Sequence, residues 1–270
     1  MRLKFILLFL IYNSVYAFAS TIDTLMVASS SMNKTIPNIV ILPDTYSVQK
    51  EAFSVLYLLH GAGGSYTDWP SKVSSIKEYA DEYNIIIVCP DGGTNSWYFD
   101  SPIDNSMMYE TYISKELISA IDEKYNTSAI NTSRAITGLS MGGHGAFYLA
   151  FKHPDIWGAA GSMSGGVDIR PFSTKWDISK RLGDYSNNKE NWETNTIINM
   201  VYKINRNSLK LIFDCGVDDV FYSANKRLHE KLVERKIPHD YIERPGGHNW
   251  SYWSNSIKFQ LIFFSDYFKL

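Results

Sequence analysis

Short runs of β-branched and aromatic residues alternate with longer helical stretches along most of the chain. The first two runs, Asp23 to Ser29 and Thr35 to Leu42, predict an antiparallel strand pair. Further strands are expected at Ser54 to Leu59, Ile85 to Cys89, Arg134 to Leu139, Ala159 to Ser164, Leu209 to Cys215 and His239 to Glu243. Several of these are apolar without a break, as strands covered on both faces must be. Helices fall between them, at Ser71 to Tyr83, Met107 to Tyr125, Gly143 to His153, Ser223 to Lys236 and about Ser251 to Phe268. This alternation predicts a doubly wound, mostly parallel α/β sheet that carries an antiparallel N-terminal pair.

One connection is long. From Gly166 to about Asn207 the chain shows Trp176, Trp192 and several asparagines but no strong strand pattern. Connections of that length in compact domains are usually functional, so a lid-like insertion over residues 166–207 is expected. With no internal repeat and no low-complexity linker, residues 20–270 read as one domain.

The first residues differ from the rest. Arg2 and Lys4 lead into the apolar run Phe5 to Tyr12, and Val15-Tyr16-Ala17-Phe18-Ala19 offers small residues for cleavage. Residues 1–19 therefore read as a signal peptide, too short in its apolar part to span a bilayer, and the mature chain is expected to be secreted or periplasmic and free of the membrane. Charge is nearly balanced, at a formal −2 over 270 residues, with no run of lysine or arginine, so nucleic acid is not expected as a partner. The two cysteines, Cys89 and Cys215, sit in different strand runs. If those strands are not neighbours, the Cα separation exceeds the ~7 Å that a disulfide tolerates, and two buried thiols are expected.

Gly138-Leu139-Ser140-Met141-Gly142 fits G-x-S-x-G. The pattern alone is weak, but here it follows a strand and opens a helix, the setting that lifts a nucleophilic serine onto a strained turn at the carboxyl edge of a sheet. Side chains at positions 138 and 142 would collide where strand and helix pass closely. Such a serine needs a base. Of His60, His144, His153, His229, His239 and His248, only His248 lies on the loop after the last strand, where a Ser, acid, His chain order requires it. The acid should follow the strand before, where Asp218 and Asp219 compete and Asp214 is a third within the strand itself; Asp219 is preferred, with Asp218 the alternative. The oxyanion of a tetrahedral intermediate requires two N–H donors. Met141 supplies one, and the loop His60-Gly61-Ala62-Gly63-Gly64 supplies the other, expected at Ala62, with His60 holding the loop.

Together with Pro90-Asp91-Gly92, Asn95-Ser96-Trp97-Tyr98, Gly216-Val217-Asp218-Asp219 and Gly247-His248-Asn249-Trp250, these motifs resemble the esterase D family of α/β-hydrolases. That family includes S-formylglutathione hydrolases, tributyrin, feruloyl and acetylxylan esterases and, more distantly, mycolyltransferases. The resemblance covers nearly all of the mature chain. It implies Asp219 over Asp218 and Ala62 as the second oxyanion donor, and it points to the secreted carbohydrate-esterase branch. The expected reaction is ester hydrolysis through an acyl-enzyme, with no metal or organic cofactor. The substrate is expected to be a small-molecule or oligosaccharide ester. Trp97, Tyr98, Trp176 and Trp250 are candidate substrate-binding side chains, whereas Tyr252 and Trp253 are expected to pack the last helix onto the sheet. An acyltransferase with the same triad, a thioesterase and a non-catalytic carbohydrate binder are the competing readings.

Overall fold

The computed structural model describes residues 20–269, so the segment read as a signal peptide, residues 1–19, lies outside the described residues. Eight strands form one sheet in the order β1-β2-β4-β3-β5-β6-β7-β8. They are β1 (Thr21–Ser29), β2 (Lys34–Leu42), β3 (Val55–Leu59), β4 (Ile86–Pro90), β5 (Arg134–Gly138), β6 (Ala159–Met163), β7 (Lys210–Gly216) and β8 (Asp240–Arg244). The β1–β2 and β2–β4 pairs are antiparallel and all the others are parallel. Every expected strand is present, displaced at its ends by two residues at most.

The helices are α1 (Asp68–Lys72), α2 (Ile76–Tyr83), α3 (Tyr109–Thr111), α4 (Ile118–Lys124), α5 (Met141–Lys152), α6 (Ile178–Leu182), α7 (Lys189–Thr194), α8 (Ile197–Met200), α9 (Tyr222–Glu234) and α10 (Trp250–Phe268). A π-helical stretch, Tyr112–Leu117, joins α3 to α4. The single helix expected over Ser71 to Tyr83 is instead two, because the chain leaves helical geometry at Val73.

Strand alternation divides the core. Val55, Tyr57 and Leu59 of β3 face one cluster with α5, while Leu56 and Leu58 face the other with α2 and α10. Strands β3 to β6 are buried along their whole length, whereas the edge strand β1 is largely exposed and β8 is only partly buried; β3 and β4 accordingly read as unbroken apolar runs. All residues of α5 from Met141 to Phe151 are buried. The segment 166–207 accounts for this: its short helix α8 packs on the outer side of α5, so the helix is covered by the sheet on one side and the insertion on the other. Cys89 and Cys215 are buried free thiols on β4 and β7, with three strands between them. Among the described residues no helix is long and apolar enough to cross a membrane.

Candidate active site

Ser140 sits where β5 turns into α5, with φ 55° and ψ −115°. The turn is held by the Ser140 N–H, which donates to the Met163 carbonyl at 2.9 Å. It is tight enough that a Cβ on Gly142 would stand 2.6 Å from the His60 carbonyl oxygen and 2.7 Å from that of Leu59. The expected steric role of that glycine is therefore visible in the backbone of β3.

His248 lies on the turn after β8, and Asn249 behind it caps α10 by accepting the Tyr252 N–H at 3.1 Å. The loops after β7 and β8 are tied together, since the N–H groups of Val217 and Asp218 donate to the carbonyls of Arg244 and Gly246 at 2.9 and 3.0 Å. The tie presents Asp219 to the imidazole. His248 Nδ1 lies 2.9 and 3.1 Å from the two carboxylate oxygens of Asp219, and Nε2 lies 2.9 Å from Ser140 Oγ. A carboxylate only accepts, so Nδ1 carries the proton and Nε2 is left to accept from the serine hydroxyl. Asp219 also accepts the Phe221 N–H at 2.8 Å and its side chain is fully buried, whereas Asp218 is exposed.

The structure brings Ala62 and Met141 to the same place. Ala62 lines the cavity at Ser140, Met141 follows it at the start of α5, and neither backbone N–H has an acceptor among the described residues. His60 holds this loop as expected. The Gly92 N–H donates to His60 Nε2 at 2.8 Å, so Nδ1 is protonated and donates to the Gly61 carbonyl at 2.8 Å. Burial keeps this imidazole neutral by pushing its pKa down. His144 faces away from Ser140, its Nε2 donating to the Asn195 carbonyl at 3.0 Å.

The cavity at Ser140 has a volume of about 150 Å³ and is lined by Gly61, Ala62, Asp68, Leu139, Ser140, Trp176, His248, Trp250 and Trp253. Trp176 and Trp250 thus line the cavity beside Ser140. Trp97 and Tyr98 do not, and here the expectation is corrected. Both residues hold positive φ, 57° and 59°, which turns them inward, and they are 1% and 0% exposed. Tyr98 OH donates to the His60 carbonyl, and Trp97 Nε1 donates to the Trp176 carbonyl at 3.0 Å, so both support the wall from behind.

Trp192 is likewise core, its Nε1 donating to the Gly183 carbonyl. Trp253 packs α10 as expected but also lines the cavity, edge-on to His248 at 4.9 Å between ring centroids. Sequence reasoning missed Phe221 and Asp68. Phe221 packs against His248 and Trp176, at 5.3 and 5.5 Å. Asp68 lies three residues ahead of the helix expected from Ser71, and nothing in its spacing marked it.

A wider apolar groove of about 500 Å³ lies between β7, β8 and α10, but neither Ser140 nor His248 lines it. Among the described residues no group of three or more His, Cys, Asp or Glu side chains is placed to hold a metal ion.

The Esterase family model matches residues 29–264. An esterase of Mycobacterium tuberculosis is 28% identical over 235 residues, 77% of this chain and 51% of its own length, so the chain spans about half of that relative. An acetyl esterase of Caldicellulosiruptor saccharolyticus is 26% identical over 222 residues, covering 78% of this chain and 82% of its own. A solved ferulic acid esterase superposes with a TM-score of 0.79 at 27% identity, over 93% of this chain and 99% of that one. The chain belongs to the esterase family, in agreement with its esterase D-like motifs, and is built on the α/β-hydrolase fold.

Proposed function

We propose that the protein is an exported serine carboxylic ester hydrolase that acts through an acyl-enzyme on acetyl, feruloyl or similar acyl esters of carbohydrates or small alcohols. One observation carries the reading: His248 bridges Ser140 Oγ at 2.9 Å and the buried Asp219 carboxylate at 2.9 Å. His248 Nε2 takes the hydroxyl proton as Oγ attacks the ester carbonyl, and Asp219 holds the ring and stabilises the imidazolium that forms. The Ala62 and Met141 N–H groups receive the developing oxyanion. The imidazolium then protonates the departing alcohol. Water enters by the same route and attacks the acyl carbon as His248 takes its proton, and the imidazolium then returns that proton to Ser140 Oγ as the acid departs.

The relatives named acetyl esterase and ferulic acid esterase support the substrate class, and the indoles of Trp176 and Trp250 offer flat apolar surface to a sugar or phenolic ring. Export rests on the basic and apolar pattern of the first residues. Turnover of p-nitrophenyl acetate tests the reading: Ser140→Ala is expected to lower kcat at least about a thousandfold, and wild type should show a burst of p-nitrophenol in the first turnover. Undiminished turnover by the alanine variant would remove Ser140 from the reaction.

A further inference from the structure

Asp68 stands in the cavity with Ser140 and His248, yet the chemistry proposed above has no use for it. Its backbone is occupied, the N–H donating to the Ser65 carbonyl and the carbonyl accepting from Ser71 Oγ at 3.0 Å. Its carboxylate receives no hydrogen bond and forms no ion pair among the described residues. Room is kept for it, because a Cβ on residue 64 would lie 2.2 Å from Asp68 Oδ2, and residue 64 is glycine. Among the described residues no lysine or arginine lines the cavity to neutralise the charge. Beside it, Trp250 is braced edge-on against Trp69 and Trp253, at 5.3 and 5.5 Å between centroids, so its indole is fixed before any substrate arrives.

A carboxylate only accepts hydrogen bonds, and one left unpartnered in a cavity beside a rigid aromatic face fits a neutral group rich in hydroxyl donors. It repels a second anion at short range. We propose that Asp68 is the specificity-determining residue of this site, selecting esters whose non-reacting part is neutral and polyhydroxylated and rejecting those that carry a negative charge there. This inference rests on the esterase reading of Ser140, and its test is arranged so that the two fail separately.

Three acetyl esters serve as probes: p-nitrophenyl acetate, which has no hydroxyl, a neutral acetylated xylo-oligosaccharide, and an acetylated glucuronic acid, which adds a carboxylate to a similar ring. In Asp68→Ala the ratio of kcat/KM for the xylo-oligosaccharide to that for p-nitrophenyl acetate should fall by about 10- to 100-fold, the range expected for hydrogen bonds to a charged acceptor, and mostly through KM. The ratio for the glucuronic acid ester to the xylo-oligosaccharide should rise by at least about tenfold. Asp68→Asn keeps an acceptor without the charge, so it should lose less on the neutral sugar ester while still admitting the anionic one. If both variants leave both ratios as in wild type, Asp68 does not select the substrate. If instead wild-type turnover of p-nitrophenyl acetate survives Ser140→Ala, it is the esterase reading that fails.

Discussion

Ser140 holds φ at 55° and ψ at −115°, a conformation that an L-residue keeps only where its surroundings force it. The force comes from the fit of Gly142 against the end of β3, where its α-carbon passes the His60 and Leu59 carbonyls with no room for a methyl group. The same stretch of backbone leads directly into Ala62, so the elbow and the oxyanion loop are one packed unit. Gly142→Ala must push them apart. Overpacking of this kind costs about 1–3 kcal/mol, and the expected result is a lower urea midpoint together with a loss of turnover beyond what the lost stability explains. A variant with wild-type midpoint and kcat would show that the contact is slack. Single residues also decided what the sequence left open between two aspartates. Asp219 points inward because its carboxylate accepts the Phe221 N–H, which starts the turn into α9, while Asp218 has no such tie and faces solvent.

At the scale of elements, the insertion is docked rather than loose. Trp97 Nε1 donates to the Trp176 carbonyl at 3.0 Å, Asn95 Nδ2 to Asp177 at 3.1 Å, and Ser101 Oγ to the Arg181 carbonyl at 2.6 Å, so the loop after β4 anchors the segment that carries Trp176. Trp97→Phe keeps an aromatic ring but removes the N–H donor and part of a fully buried indole. It is expected to cost about 1–3 kcal/mol of stability, from the lost hydrogen bond and the space left by the smaller ring, and to raise KM for aryl esters with little change in kcat, because Trp176 loses its brace while Ser140 and His248 do not move. An unchanged KM would mean that Trp176 is positioned by Phe172 and Phe221 alone. These anchors also explain what was legible beforehand. Strands β3 and β4 announce themselves through unbroken apolar runs, the serine turn and the loops after β7 and β8 through fixed glycine spacings, and the chain order of these loops points to His248 without coordinates. Trp97 and Tyr98 misled because two consecutive left-handed residues reverse the direction in which a loop displays its side chains, and no periodicity encodes that reversal. Asp68 escaped because its meaning lies in what surrounds it, a cavity without a cation, rather than in its own neighbours along the chain.

For the molecule as a whole, the buried histidines set a cost on acidity that is separate from catalysis. Burial pushes His144 down to about 4, against modest opposition from its bond to the Asn195 carbonyl, and pushes His60 down as well. Between pH 6.5 and 4 the unfolded chain binds protons at these positions that the folded chain refuses, so stability falls as pH drops through that window. His144 alone contributes a loss of about 3 kcal/mol by pH 4. Glu110 adds to the loss lower down. Burial alone would raise its pKa, but hydrogen bonds from His153, Lys152 and Tyr148 bring it to about 2, and the stability these supply is present above about pH 4.5 and disappears as pH falls towards 2. Urea midpoints taken at pH 7.5, 5.5 and 4.0 should therefore decline in steps, with part of both declines missing from a His144→Gln variant that still folds at pH 7.5. A wild-type midpoint that stays level down to pH 4 would show that α5 and its insertion open enough to hydrate the imidazole. The close packing that holds the Ser140 elbow from behind would then have to be sought elsewhere than at the buried face of α5.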